Sequence, residues 1–191
     1  MTARHELPTP GPAAEIAAVF RALVPQFETD RTWMRGPRLQ DFDAYAEIVC
    51  GERGTFVGGP MSREDAWRDF ASLASCWMLF GHGGWAVEEK DTGELLGFVV
   101  LGLEPGDLDV ELGFLFRTRA EGKGYAQEAA ARGRDWAFGH LRLATLDSYV
   151  DARNTRSIAL ARRLGGADET PPDWAGSGAL RFRHYAPEVP A

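Results

Sequence analysis

Cysteine is scarce in this chain: Cys50 and Cys76 are the two among 191 residues, and they do not form a closely spaced pair. That excludes a disulfide framework and fits reduced or buried thiols. Long apolar runs are missing too. No stretch approaches the roughly 20 uncharged apolar residues that a membrane-spanning helix needs, and residues 1–12 lack a basic segment followed by an apolar one. These absences predict a cytoplasmic protein without membrane contact. His5, His82, His140 and His184 show neither H-E-x-x-H nor clustered ligand spacing, so no metal site is expected. A G-x-S-x-G nucleophile turn is also absent, and Gly176-Ser177-Gly178 reads as a loop.

Positive charge is in deficit. The formal net charge of -7 weighs against nonspecific nucleic-acid binding, which draws its affinity from clustered Lys and Arg. Residues 117–163 depart from this trend, with ten Lys or Arg against five Asp or Glu, a balance of +5 that leaves -12 for the remainder. One basic region in an acidic molecule suits a small polyanion bound at one place. Charge alone suits a solvated basic helix face equally well.

At this length and 45% hydrophobic content the chain can bury one core, so a single domain is expected. Residues 1–26 read as an extension: a proline-rich start, then Ile16, Val19, Phe20 and Leu23 at helical spacing. That short amphipathic helix must lay its apolar face on the core or on another subunit, which leaves a homodimer open. Residues 27–34 read as a first strand, and 41–49 as a helix. A second helix over 63–79 has Ser62 as its N-cap. Three strand-like runs follow, 85–89, 95–103 and 108–116, joined by turns of hairpin length, which predicts an antiparallel meander. A helix (122–138), a strand (143–150), a helix (155–164) and a last strand (180–185) then alternate, as expected for helices packed on a sheet. The fold class is α/β, or α+β, with a mixed sheet.

Chemistry concentrates where the strand 108–116 meets the next helix. Leu108, Val110, Leu112, Phe114 and Phe116 form one apolar face, while the other face begins with Asp109 and Glu111. The strand runs into Arg119-Ala120-Glu121-Gly122-Lys123-Gly124-Tyr125-Ala126. Two glycines at a strand-to-helix turn let backbone amides face outward together at the positive end of a helix, which makes an anion site. Ala126, Ala129, Ala130, Gly133 and Ala137 form a small-residue stripe that lets the helix approach the sheet closely. A dinucleotide fingerprint fits poorly, because Gln127 stands where its third glycine belongs. A nucleoside-triphosphate loop fails because Gly124 follows Gly122-Lys123 in place of Ser or Thr.

The segment from Arg119 to Gly124 resembles the R/Q-x-x-G-x-G/A pyrophosphate turn of the GNAT acetyltransferase superfamily. Glu111-Leu112-Gly113-Phe114 is similar to that family's fourth-strand signature. Asn154-Thr155-Arg156-Ser157 with Leu164-Gly165 resembles the N-x-x-S...L-G helix of the subgroup that acetylates ribosomal-protein N-termini. The resemblance implies a mostly antiparallel sheet of six or seven strands, flanked by helices and with splayed central strands, over an acetyltransferase domain of 27–187. It implies acetyl-CoA as co-substrate and a primary amine, on a peptide N-terminus or a small molecule, as acceptor. Phe114, Leu115 and Phe116 would bond the pantetheine arm, and Arg119, Gly122, Lys123, Gly124, Tyr125 and Ala126 would take the pyrophosphate. Asn154, also placed as a helix N-cap, would reach the arm from the opposite side. Glu111 is the candidate base. Where many members carry a tyrosine as general acid this chain has Ala161, leaving Ser157, water or an unassisted thiolate. A catalytically silent acyl-CoA-binding module is the alternative. Gly166, in place of the family's usual Phe, is expected to loosen the last strand, and Trp33 and Trp174 are expected to frame the acceptor cleft.

Overall fold

A computed structural model describes residues 2–187. One eight-stranded sheet forms the centre, with strands β1 (Phe27–Glu28), β2 (Thr32–Arg35), β3 (Gly84–Glu89), β4 (Leu95–Gly102), β5 (Glu111–Phe116), β6 (Thr145–Asp151), β7 (Ala167–Asp168) and β8 (Ala179–Tyr185). The spatial order is β1-β2-β3-β4-β5-β6-β8-β7. Every neighbouring pair is antiparallel except β5 with β6. The helices are α1 (Pro12–Leu23), α2 (Phe42–Val49), α3 (Arg63–Phe80), α4 (Tyr125–Gly139) and α5 (Thr155–Arg163). None is long and apolar enough to cross a membrane, among the described residues.

The sheet has one or two strands more than the expected six or seven. The predicted first strand divides at a turn, where Thr29 donates its amide to the Thr32 carbonyl (2.9 Å). The short β7 adds an edge on β8. Gly166, expected to loosen the last strand, lies close against it: a Cβ there would stand 2.9 Å from His184 Cε1 and 3.0 Å from the Ala161 carbonyl.

Two cores sandwich the sheet. On one face Ala129, Ala130 and Ala137 of α4 pack on Trp85, Val99 and Leu112, with Leu160 and Leu164 joining from the segment around α5. The small-residue stripe explains the close approach, since a Cβ on Gly133 would already stand 3.1 Å from Val99 Cγ1. On the other face Phe42, Tyr45 and Val49 of α2 and Phe70 and Leu73 of α3 cover Ala86 and Phe98. Burying a large apolar side chain contributes about 1.5–3 kcal/mol, so these two layers dominate stability.

The α3 start is held as its sequence predicts. Ser62 Oγ accepts from the Asp65 amide (3.1 Å), satisfying one of the helix's free donors. Ser62→Ala is expected to lower unfolding free energy by about 1 kcal/mol, measured by urea denaturation.

Candidate active site

The predicted strand 108–116 is shorter in the structure. It begins at Glu111 because its neighbour β4 ends at Gly102, the residue paired with Glu111. Beyond that point no ladder remains, and Leu108, expected on the apolar face, is exposed. Its amide donates instead to the Tyr149 hydroxyl (3.0 Å). On the other edge of β5, the parallel register with β6 is limited to Glu111 opposite Asp147. The two strands part after it, and a gap opens at the middle of the sheet.

A cavity of about 1030 Å³ occupies this gap. Phe114, Leu115 and Phe116 form one wall, with Ala120, Gly122, Gly124 and Ala126 beside them. Helix α4 begins at Tyr125, three residues later than expected. Gly122 (φ 68°) and Gly124 (φ 85°) both sit in the left-handed region, which is not helical. The consequence is a nest of donors: among the described residues, the backbone amides from Gly122 to Gln127 meet no backbone or side-chain acceptor. Free amides converging at a helix N-terminus favour an anion there. Arg53, Arg153, Arg156 and Arg163 line the same cavity, and Glu121 bridges Arg53 and Arg156.

A second cavity of about 370 Å³ adjoins the first. Phe56, Val57, Phe114, Leu115, Asn154 and Ser157 line both, so the cavities meet at these residues. The second is acidic, with Asp69, Glu104 and Glu111 on its walls. Glu111 is half-buried there. Burial, with Asp107, Glu104 and Asp69 nearby, pushes its carboxyl up to about 8, against the opposing pull of a backbone hydrogen bond from Tyr149. A carboxylate tuned to that value is suited to take protons near neutral pH.

The structure distributes the other sequence candidates differently. Asn154 caps α5, its Oδ1 accepting from the Ser157 amide (3.1 Å), while lining both cavities. Arg119, Lys123 and Tyr125 are not among the lining residues. The Arg119 guanidinium is engaged by Glu94 and the Leu95 carbonyl, and the Tyr125 hydroxyl donates to Glu89. Trp33 lies on β2, three strands away from β5, and lines neither cavity. Trp174 packs tilted at 5.9 Å against Tyr149, a residue of the second cavity's wall. Ala161 is fully buried against Val150 and Phe182.

Several contributors carry no sequence signal. Phe56 and Val57 come from the segment after α2, and Asp69 from α3, where no local pattern distinguishes them from ordinary helix and loop residues. A clamp behind the glycine turn is likewise invisible in sequence, because it joins residues nearly one hundred positions apart. Glu128 of α4 accepts from the Arg31 amide (2.7 Å) and Nε (2.8 Å), and Arg31 Nη1 donates to the Lys123 carbonyl (2.8 Å). Burial alone would raise the Glu128 carboxyl, but hydrogen bonds from Thr29 and Arg31 outweigh it and hold the group below its ordinary value. Glu128→Ala is expected to weaken the turn's hold on an anion about tenfold, read by titration with inorganic pyrophosphate, since it loosens the turn without touching its amides.

The chain, with its splayed parallel pair, has the fold of solved acetyltransferases. The chain belongs to the GNAT acetyltransferase family: residues 31–167 match its Acetyltransferase (GNAT) domain. An acetyltransferase from Agrobacterium tumefaciens superposes with a TM-score of 0.80 at 36% identity, over 85% of this chain and 95% of that one. The uncharacterized protein YkkB of Bacillus subtilis (strain 168) is 34% identical over 90 residues, 45% of this chain and 51% of that one. The match thus spans about half the length of that curated relative. A spermidine N-acetyltransferase from Vibrio cholerae, solved in complex with CoA and spermine, shares the fold at 16% identity and a TM-score of 0.65, over 81% of this chain and 95% of that one.

Proposed function

We propose that this acetyltransferase moves the acetyl group of acetyl-CoA onto a primary amine. The observation that carries the reading is the junction of the two cavities: one offers free amides and arginines to a polyanion, the other offers carboxylates to a cation, and they share six residues. Acetyl-CoA suits the first cavity, with its pyrophosphate on the amides from Gly122 to Gln127 and its pantetheine arm along Phe114, Leu115 and Phe116. Asn154 lies across from that arm. The thioester then falls at the junction, and a protonated amine is drawn into the acidic cavity.

Reaction there is direct. Glu111, or a water it activates, takes a proton from the amine, whose nitrogen attacks the thioester carbonyl carbon. The tetrahedral intermediate collapses as the carbon–sulfur bond breaks, and the leaving thiolate takes up a proton. Ser157, which lines both cavities, can relay it, giving its proton to the sulfur as it takes one from water, while Glu111 returns the amine's proton to solvent. An ordinary thiol of pKa near 8.5 also leaves readily as thiolate. A peptide α-amine, near 7.7–8.0, is about a tenth neutral at pH 7 and asks less of Glu111 than a lysine-type amine near 10.4.

The test is thiol release from acetyl-CoA in the presence of a panel of peptide N-termini and small amines, with products weighed by mass spectrometry. Stoichiometric N-acetyl product supports the reading. The buried Ala161, where many relatives have a tyrosine, favours a second reading, a silent acyl-CoA-binding module. Binding of acetyl-CoA without turnover across the panel would favour that module.

A further inference from the structure

Glu121 stands immediately before the free amides of the glycine turn, and arginines engage both of its carboxylate oxygens. Oε1 pairs with Arg53 Nη2, and Oε2 accepts from Arg156 Nη1. Arg53 comes from the single turn over residues 52–56 and Arg156 from the first turn of α5, so one carboxylate ties three separate segments together. All three side chains belong to the wall of the larger cavity. Arg53 is committed a second time. Its Nη1 donates to the Phe116 carbonyl (3.3 Å), on the strand end proposed to meet the pantetheine arm.

The charges on this wall are unevenly matched. Four arginines face Glu52 and Glu121. Arg153 is satisfied by Asp151, which it bonds through Nε (3.0 Å) and Nη2 (2.6 Å). Arg53 and Arg156 share Glu121, and among the described residues no other carboxylate pairs with either. Burial, and then the charge of Arg156, lowers the Arg53 guanidinium below its ordinary range, as expected where two cations share one anion. A phosphate matches such a pair better than a carboxylate does. It offers more oxygens to the two guanidinium forks, and as a monoester it carries up to two charges.

We infer that Glu121 is an internal competitor for phosphate: it holds Arg53 and Arg156 in the free protein, and a phosphate group of the donor takes both arginines from it. The inference rests on the donor site proposed above. An anion on the amides that begin at Gly122 lies next to the Glu121 carboxylate, and like charges so placed repel, so the arginines turn to the newcomer. As Arg53 turns, it also gives up the Phe116 carbonyl, which becomes free to bond the pantetheine arm. Phosphate binding at one end of the cavity thereby opens the site for the arm at the other.

Calorimetric titration of the full chain with inorganic pyrophosphate tests the competition without any turnover. Glu121→Gln keeps the size of the side chain and removes its charge. Pyrophosphate is expected to bind this variant about fivefold more tightly, the effect of one unit charge about 4 Å away in water-like surroundings. Adding Arg53→Gln and Arg156→Gln should return the affinity to the wild-type value or below. Should the triple variant fail to fold, Glu121→Gln with Arg156→Gln gives the same reading, since Arg156 is exposed. Unchanged or weaker binding in Glu121→Gln would overturn the inference and leave Glu121 a buttress of the turn. So would a folded multiple variant that still binds more tightly than the wild type. A wild type that shows these pyrophosphate effects yet binds no acetyl-CoA would refute the donor reading and leave the competition standing.

Discussion

Acetyl-CoA is expected to raise the melting temperature of the wild-type chain and Gly124→Glu to abolish that rise, with affinity falling at least 100-fold, about 2.7 kcal/mol. Two effects act together. Gly124 has φ 85° as the residue that caps α4, and a residue with a Cβ loses roughly 1–2 kcal/mol in that conformation. The Cβ itself would stand 3.2 Å from Arg31 Nη2, against the clamp that holds the turn. A carboxylate would then sit among the amides proposed for the pyrophosphate. Gly124→Ala separates the causes: it keeps the strain without the charge, so it should lower the melting temperature of the free protein yet retain most of the shift. An unaltered shift in Gly124→Glu would remove the turn from the donor site.

Glu111→Gln is the second large effect. General-base catalysis contributes about 10²–10⁴-fold, so kcat should fall at least 100-fold while acetyl-CoA binding is kept. The pH profile carries the same signature. With the carboxyl at about 8, kcat/KM of the wild type rises with pH through that value in addition to the rise from deprotonation of the acceptor amine, and only the amine's step remains in Glu111→Gln. Stability gives an independent check. A carboxyl raised above its ordinary 4.5 keeps the folded state protonated where the unfolded state is not. Its stabilising effect is therefore full below about 4.5 and lost as pH rises toward 8. Wild type should lose stability across that window relative to Glu111→Gln, read as diverging melting temperatures. Parallel curves, with kcat unchanged, would leave Glu111 a bystander.

The sheet, its helices and the family are legible in the sequence because their signals are local. Period-two patterning marks Leu112, Phe114 and Phe116, small residues mark the buried stripe of α4, and paired glycines mark the turn before it. What is not legible depends on distance. The start of β5 is set by where β4 ends, so Leu108 looks buried in its own strand and is exposed in the fold. Side chains beside the turn are drawn off by distant partners, as Tyr125 is by Glu89 and Arg119 by Glu94. Glu111 is visible as an acidic residue of a strand, but its carboxyl is raised first by burial and then by Asp107, Glu104 and Asp69, and only the fold brings these about. The acidic cavity is built this way throughout, from α2, α3 and the loop before β5, and no motif spans those segments.

In the proposed complex the amides from Gly122 to Gln127 hold the phosphates of acetyl-CoA. Backbone amide NMR during titration with acetyl-CoA addresses it directly. The largest shifts should fall on those six residues and on Phe114 to Phe116, and should saturate together with the thermal shift. Saturating binding that leaves the six amides unmoved would show that the phosphates lie elsewhere.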